Sequence, residues 1–323
     1  MATEPRPRGI SYGESIVVDN DNVFLLIGGN WYVYSKRRAH VGDGGMGSVL
    51  MGRRVSDGMP VAIKRIHAEF ANRGNVRERV RLESQLTFAH PNLVEILGCC
   101  EGSGEKAPIF VASKFIHGQT IDVYVNASFP DKSTRARHLI PIIKQLTSAI
   151  DFIHSEGIIH LDIKPSNVMI ERGSTVKLLD LGIADVATHS VKTHGYGLHG
   201  TPGFAAPEQY IDESNPELII DKRTDVYGLA ATTYTLITGN TPKSGELPEN
   251  DEGIGSNLRN VMFKALAKEK EQRYASASEF AEAFETAAIK DSTPKKSDKW
   301  VIIGILGAIL TVTLLISIFI LTT

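Results

Sequence analysis

Between Ile159 and Val168 the chain reads I-H-L-D-I-K-P-S-N-V, and a second run, L-D-L-G, extends from Leu179 to Gly182. Together they set an acid (Asp162), a lysine (Lys164), an amide (Asn167) and a second acid (Asp180) at the spacing used in phosphoryl transfer. Asp162 would accept the proton of an attacking hydroxyl. Asn167 and Asp180 would offer hard oxygen ligands, which Mg²⁺ prefers. Taken singly, Asp162 could be a helix cap and Asn167 a turn residue. It is their joint spacing that points to chemistry.

The first run resembles the catalytic loop of the eukaryotic-type protein kinases, H-R-D-x-x-x-x-N, with Leu161 in place of the arginine. The family's other motifs follow in order. V-G-D-G-G-M-G-S-V resembles the glycine-rich turn G-x-G-x-x-G-x-V, and implies that Val41, Gly42, Asp43, Gly44, Gly45, Met46, Gly47, Ser48 and Val49 cover ATP. Its small residues let backbone N–H groups approach phosphates, while Asp43 is expected to serve the turn. V-A-I-K is an alternating apolar strand that would bring Ala62 to the nucleotide and Lys64 to its α- and β-phosphates. Alone, Lys64 could be a solvated strand residue. A helix between Asn75 and Phe88 would supply a carboxylate partner for it. Glu83, about nineteen residues after the lysine, fits the family spacing, with Glu78 as the alternative. Further on, G-T-P-G-F-A-A-P-E ends an activation segment at Glu208, Asp225 opens the D-V-Y-G-L of a core helix, and Arg273 matches the usual ion-pair partner of Glu208. The resemblance runs from roughly Trp31 to Ala288.

That resemblance implies roles. Lys64 orients phosphates, Asp162 positions the acceptor hydroxyl, Lys164 neutralises the transferring phosphoryl, and Asn167 with Asp180 holds Mg²⁺, with Mn²⁺ as an alternative ion. Lys164, with G-T-P before A-P-E, goes with Ser/Thr acceptors on protein substrates, and Thr201 would help hold Asp162 and Lys164. Three departures matter. Leu161 removes the arginine that clamps a phosphorylated loop in many relatives, so phosphorylation at Thr188, Ser190 or Thr193 need not switch the enzyme on. Ser113 falls at the gatekeeper position, which implies an enlarged back pocket that admits bulky adenine analogues. The stretch from Gly239 to Asn257 is short for a substrate-docking helix. His160 is expected to be a packed core residue, and His189, His194 and His199, without a metal-ligand pattern, to be loop residues.

The elements that must position these groups read as an α+β, two-lobed kinase fold. W-Y-V-Y, S-V-L-M, V-A-I-K, L-V-E-I-L and I-F-V-A are short, β-rich strings that predict a small antiparallel lobe with one main helix over about 31–117. Helical patterns at His138–Glu156, Lys222–Thr238, Asn257–Lys268 and Ser276–Ala288 predict a larger helical lobe over about 118–289. ATP would lie between them, near the segment from Ser113 to Gly118. Residues 1–30 read as a strand-bearing extension without a signal peptide, and 290–300 as a tether.

The 323 residues, 42% hydrophobic, suffice for one such domain plus appendages. A net charge of −2 argues against a nucleic-acid partner. The adjacent Cys99 and Cys100 read as buried strand thiols in a reducing compartment. From Val301 to Leu321 no charge interrupts the apolar run, which as a helix spans roughly 30 Å. This predicts a transmembrane anchor, with Trp300 at the interface and Lys295, Lys296 and Lys299 keeping the catalytic domain cytoplasmic. Two other classes stay open: a pseudokinase that only binds partners, and a kinase of lipids or small molecules. Gly304 and Gly307 miss the G-x-x-x-G spacing, and the oligomeric state is left open.

Overall fold

A computed structural model describes residues 15–44, 47–71, 77, 80–81, 84, 88–102, 107–180, 185–186, 201–210, 220–242 and 253–292. The small lobe is an antiparallel sheet built from β1 (Ile16–Val18), β2 (Asn22–Ile27), β3 (Asn30–Ser35), β4 (His40–Gly44), β5 (Gly47–Arg54), β6 (Pro60–Ile66), β7 (Ile96–Glu101) and β8 (Ile109–Lys114). Their order is β1-β2-β3-β5-β6-β8-β7, with β4 pairing the first half of β5. Along β2, Val23, Leu25 and Ile27 are buried and alternate with partly exposed neighbours, the period-two pattern of a strand with one face inward. They pack with Tyr32, Tyr34, Val61, Ile63, Cys100, Phe110 and Ala112.

The extension before Trp31 thus carries β1 and β2, which continue this sheet. The sheet curls until β2 lies against β7. At that approach Gly98, at φ 127, leaves room for Ile27: a Cβ there would stand 2.8 Å from the isoleucine Cγ2. Ser15 Oγ closes the seam by donating to Glu101 O at 2.9 Å. L-V-E-I-L contributes less than its pattern suggests. β7 begins only at Ile96, and Leu93 forms an isolated bridge to Leu178.

Behind the sheet, a short helix α1 (Ala68–Ala71) and the helical positions Arg77, Val80, Arg81 and Ser84 represent the expected helix. Val80 packs with Ile66, Ala71, Ile109 and Val111. Arg77 and Arg81 donate to the Glu101 carboxylate at 2.8 and 2.6 Å, tying the helix to β7. Burial pushes that carboxyl up, but the two guanidiniums outweigh it and hold it below the usual range. Cys99 is half-buried and Cys100 buried in β7, both as thiols, and burial pushes the Cys100 thiol up to about 12.

The large lobe contains β9 (Gly118–Thr120), α2 (Ile121–Ser128), α3 (Lys132–Ser155), β10 (Ile158–Ile159), β11 (Val168–Glu171), β12 (Thr175–Leu178), β13 (Asp185–Val186), α4 (Lys222–Thr238), α5 (Ser256–Ala265) and α6 (Ala277–Ser292). Helix α3 starts well before the expected His138 because Asp131 caps it, accepting from Ser133 N at 3.0 Å, and the chain continues helically through Pro141. Helix α4 is buried nearly all round. Its Thr233, Thr235 and Thr238 survive there because each hydroxyl donates back to the carbonyl four residues earlier. Asp221 caps its start and Gly239, at φ 79, ends it. The N-terminus of α5 is capped by a residue of another helix: Asp291 of α6 accepts from Asn257 N and Leu258 N at 3.2 and 2.9 Å. Among the described residues no helix is long and apolar enough to cross a membrane. The expected tether 290–300 is corrected at its start, since α6 continues through Ser292; residues 293–300 and the run 301–321 lie outside the described residues.

Candidate active site

The loop between β10 and β11 is fixed from below by Asp225, in the first turn of α4. Its carboxylate is 1% exposed and accepts from His160 N and Leu161 N at 2.8 Å each, and binds His154 Nε2 at 2.7 Å. His160 is fully buried. Its Nε2 meets Leu179 O at 3.0 Å, while Asp162 N donates to its Nδ1 at 3.3 Å, an arrangement suited to the neutral ring. Leu161 holds φ 67, a conformation that costs a non-glycine residue about 1–3 kcal/mol and persists only where surroundings impose it.

On this platform Asp162 is held at both carboxylate oxygens. Thr201 Oγ1 donates to Oδ1 at 2.9 Å; Asn167 Nδ2 at 2.9 Å and Lys164 Nζ at 2.7 Å meet Oδ2. Lys164 Nζ also donates to Thr201 Oγ1 at 2.6 Å, closing a ring of lysine, threonine and aspartate. Asn167 spends its amide nitrogen on Asp162, at the backbone carbonyl as well as the carboxylate, which leaves the amide oxygen as its acceptor. Leu179 N donates to Asn167 O at 2.8 Å, so Asn167 and Asp180 are neighbours. Asp180, at φ 60, pairs through Oδ2 with Lys64 Nζ at 2.5 Å, joining β6 of the small lobe to the large lobe.

Above them, β4 and β5 form the glycine-rich hairpin, closed by the Gly44–Gly47 pair. Asp43 serves the turn as expected: Ser48 Oγ donates to it at 2.7 Å and His40 Nε2 lies 3.0 Å away. Those bonds, Ser48 first, hold its carboxyl below the usual range. Two glycines here have different reasons. At Gly47 a Cβ would stand 2.4 Å from Arg65 O, so strand packing alone demands glycine. At Gly42 φ is ordinary and a Cβ would meet nothing within 4 Å among the described residues, so none of their contacts requires glycine there. Val41 and Val49 stand at opposite sides of the hairpin, Val49 facing Lys64 in register. Ala62 of β6 pairs with Ser113 of β8, which also pairs with Ile96 of β7. Gly45, Met46, Glu78, Glu83, Thr188, Ser190, Thr193, His189, His194 and His199 lie outside the described residues.

Glu208 and Arg273 form a doubly hydrogen-bonded pair, Nη1 to Oε1 at 2.6 Å and Nη2 to Oε2 at 2.7 Å, with side chains 5% and 0% exposed. Thr224 adds a donor to Glu208 at 2.8 Å. Arg273 spends further N–H groups on the Ala267, Lys268 and Arg223 carbonyls, so the buried charges are fully solvated by the protein. Residue-type reasoning did not single out Gln209, which is 3% exposed, or His154; nothing in an isolated amide or helical histidine advertises a tertiary bond.

A curled antiparallel lobe set over a helical one, with a lysine–aspartate pair at their junction and an Asp-x-Lys-x-x-Asn loop beneath, defines the two-lobed protein kinase fold. The protein kinase domain family model matches residues 35–296, and the chain belongs to that family. Among curated relatives, the serine/threonine-protein kinase PknB of Mycobacterium leprae is 32% identical over 259 residues, 74% of this chain and 40% of that protein. The serine/threonine-protein kinase pkn2 of Myxococcus xanthus is 33% identical over 284 residues, 79% of this chain and 32% of that protein. The chain therefore spans two-fifths or less of the length of these relatives. The crystal structure of the Mycobacterium tuberculosis PknI kinase domain matches with TM-score 0.61 at 24% identity, over 79% of this chain and 96% of that one, a likeness of fold.

Proposed function

We propose that the chain is a serine/threonine protein kinase that transfers the γ-phosphate of ATP to Ser or Thr hydroxyls of proteins. The observation that carries this reading is the ring of Asp162, Lys164 and Thr201, with Asn167 between it and Asp180. Asn167 Oδ1 and the Asp180 carboxylate are hard oxygen donors of the kind Mg²⁺ takes. Among the described residues no group of three acidic, His or Cys side chains could hold a metal alone. Two protein ligands suit a cation that shares its shell with phosphates. Gly42, where a Cβ would meet none of the described residues, suits a phosphate at close range. These residues fit ATP with a divalent cation, which together supply the phosphoryl group and neutralise its charge.

The chain's own residues do the rest. Lys64, on a rigid central strand, orients the phosphates as a point charge. Asp162, unable to rotate while three donors hold it, aligns the acceptor hydroxyl and takes its proton. Lys164 stands beside that carboxylate and offsets charge as it develops on the transferring group. Thr201 couples the pair to the segment against which a peptide would lie. This coupling favours a protein acceptor over a lipid or small molecule. Labelled ATP should therefore leave phosphoserine and phosphothreonine on the protein and on a generic basic acceptor. Phosphotyrosine, or label confined to lipid, would contradict the proposal.

We further propose that residues 301–321 anchor the chain in a membrane, with the catalytic domain on the cytoplasmic side. The support is the uninterrupted apolar run, Trp300 at its start and the preceding lysines. The full chain should sediment with membranes and resist alkaline carbonate, whereas a chain ending at Ser292 should not. Release of the full chain by carbonate would refute the anchor.

A further inference from the structure

We propose that Gln209 is a positioning residue that locks the catalytic loop to the end of the activation segment. The proposal rests on the reading of Asp162 given above. Gln209 closes the short 3₁₀ turn Pro207–Gln209 just after the segment that bears Thr201. Its amide is bound at both ends. Oε1 accepts from Ala206 N at 2.9 Å, and Nε2 donates to Leu161 O at 2.8 Å. The side chain is therefore a strut between two backbones, and at 3% exposure it is shielded from competing water.

What it holds is the peptide unit that enters Asp162. That unit carries Leu161 O, bound by Gln209, and Asp162 N, bound to His160 Nδ1. One residue back, Leu161 N is bound by Asp225. Both backbone polar groups of Leu161 are thus fixed by buried side chains, which accounts for a leucine held at φ 67. If the Gln209 strut were lost, the 161–162 peptide could rotate toward ordinary φ, and Asp162 would swing with it. Leu161 itself is 4% exposed and apolar, so it cannot link the loop to the segment; Gln209 makes that link from the opposite side. Asp225 sets the height of the loop, and Gln209 sets its register against Thr201.

The test compares the full chain with Gln209→Met and Gln209→Glu. Methionine keeps the volume and loses both bonds; glutamate keeps the acceptor for Ala206 N and loses the donor to Leu161 O. Turnover should fall by about tenfold or more in both, with KM for ATP within about twofold of wild type, because a misaimed Asp162 affects chemistry more than nucleotide binding. Amide hydrogen exchange over residues 158–168 should accelerate in both, and it reads the strut independently of activity. Wild-type turnover in Gln209→Met, or unchanged exchange in this loop, would overturn the proposal. An inactive wild type whose loop still exchanges faster in the variants would instead overturn the kinase reading and leave the strut standing.

Discussion

Asp162, Lys164 and Thr201 bind one another at 2.6–2.9 Å, so these three side chains hold one another in a single arrangement. In the proposed transfer this arrangement would lower the barrier, because no side chain would have to be ordered at the moment of reaction. Leu161 bears on regulation at this same scale. It is buried, presents no cation to a phosphorylated loop, and already has its backbone fixed by Asp225 and Gln209. Replacing Thr188, Ser190 and Thr193 together by alanine should then leave turnover nearly unchanged. A large loss in that triple variant, measured at saturating ATP, would mean that loop phosphorylation is needed after all. The acid, lysine and amide of this site were legible in the sequence because their chemistry fixes their spacing along one loop. Gln209 and His154 were not, because their partners lie 48 and 71 residues away and only the fold brings them together.

Helix α4 is the element on which the large lobe is assembled. Asp225 in its first turn carries the catalytic loop, and Thr224 reaches the buried Glu208–Arg273 pair. That pair is a strong local constraint with an asymmetric energetic signature. Arg273→Leu should cost about 3–5 kcal/mol, since it strands the Glu208 carboxylate in the interior, while adding Glu208→Leu should recover part of the loss. Denaturant unfolding of the single and double variants decides this; a single variant as stable as wild type would refute it. Long elements were read well: α4 was expected at its observed bounds, Lys222–Thr238. The errors fell at the ends of elements, where periodicity gives little signal. The cap at Asp131 starts α3 before the expected His138, α5 stops at Ala265 short of Lys268, α6 runs past Ala288 to Ser292, and the two-residue β10 and β13 carry too little periodicity to be seen.

Across the whole molecule, the two lobes meet at Lys64 and Asp180, and the N-terminal hairpin completes the small lobe. Its β2 leans on β7, and β7 grips the helix through Glu101 and Cys99, so the extension supports the strand that holds that helix in place. The two-lobed plan was legible because alternating and helical periodicities segregate along the chain. The curl of the sheet back onto β7 was not, since it depends on Gly98 making room for Ile27 across the lobe. The central claim, that this arrangement transfers phosphate, is tested most directly by following the γ-phosphate of labelled ATP with Mg²⁺ in the purified full chain beside Asp162→Asn. The wild type should place label on Ser or Thr of itself and of a basic acceptor protein, and the folded variant should place none. Nucleotide binding without transfer in either protein would contradict the account and assign the fold a purely binding role.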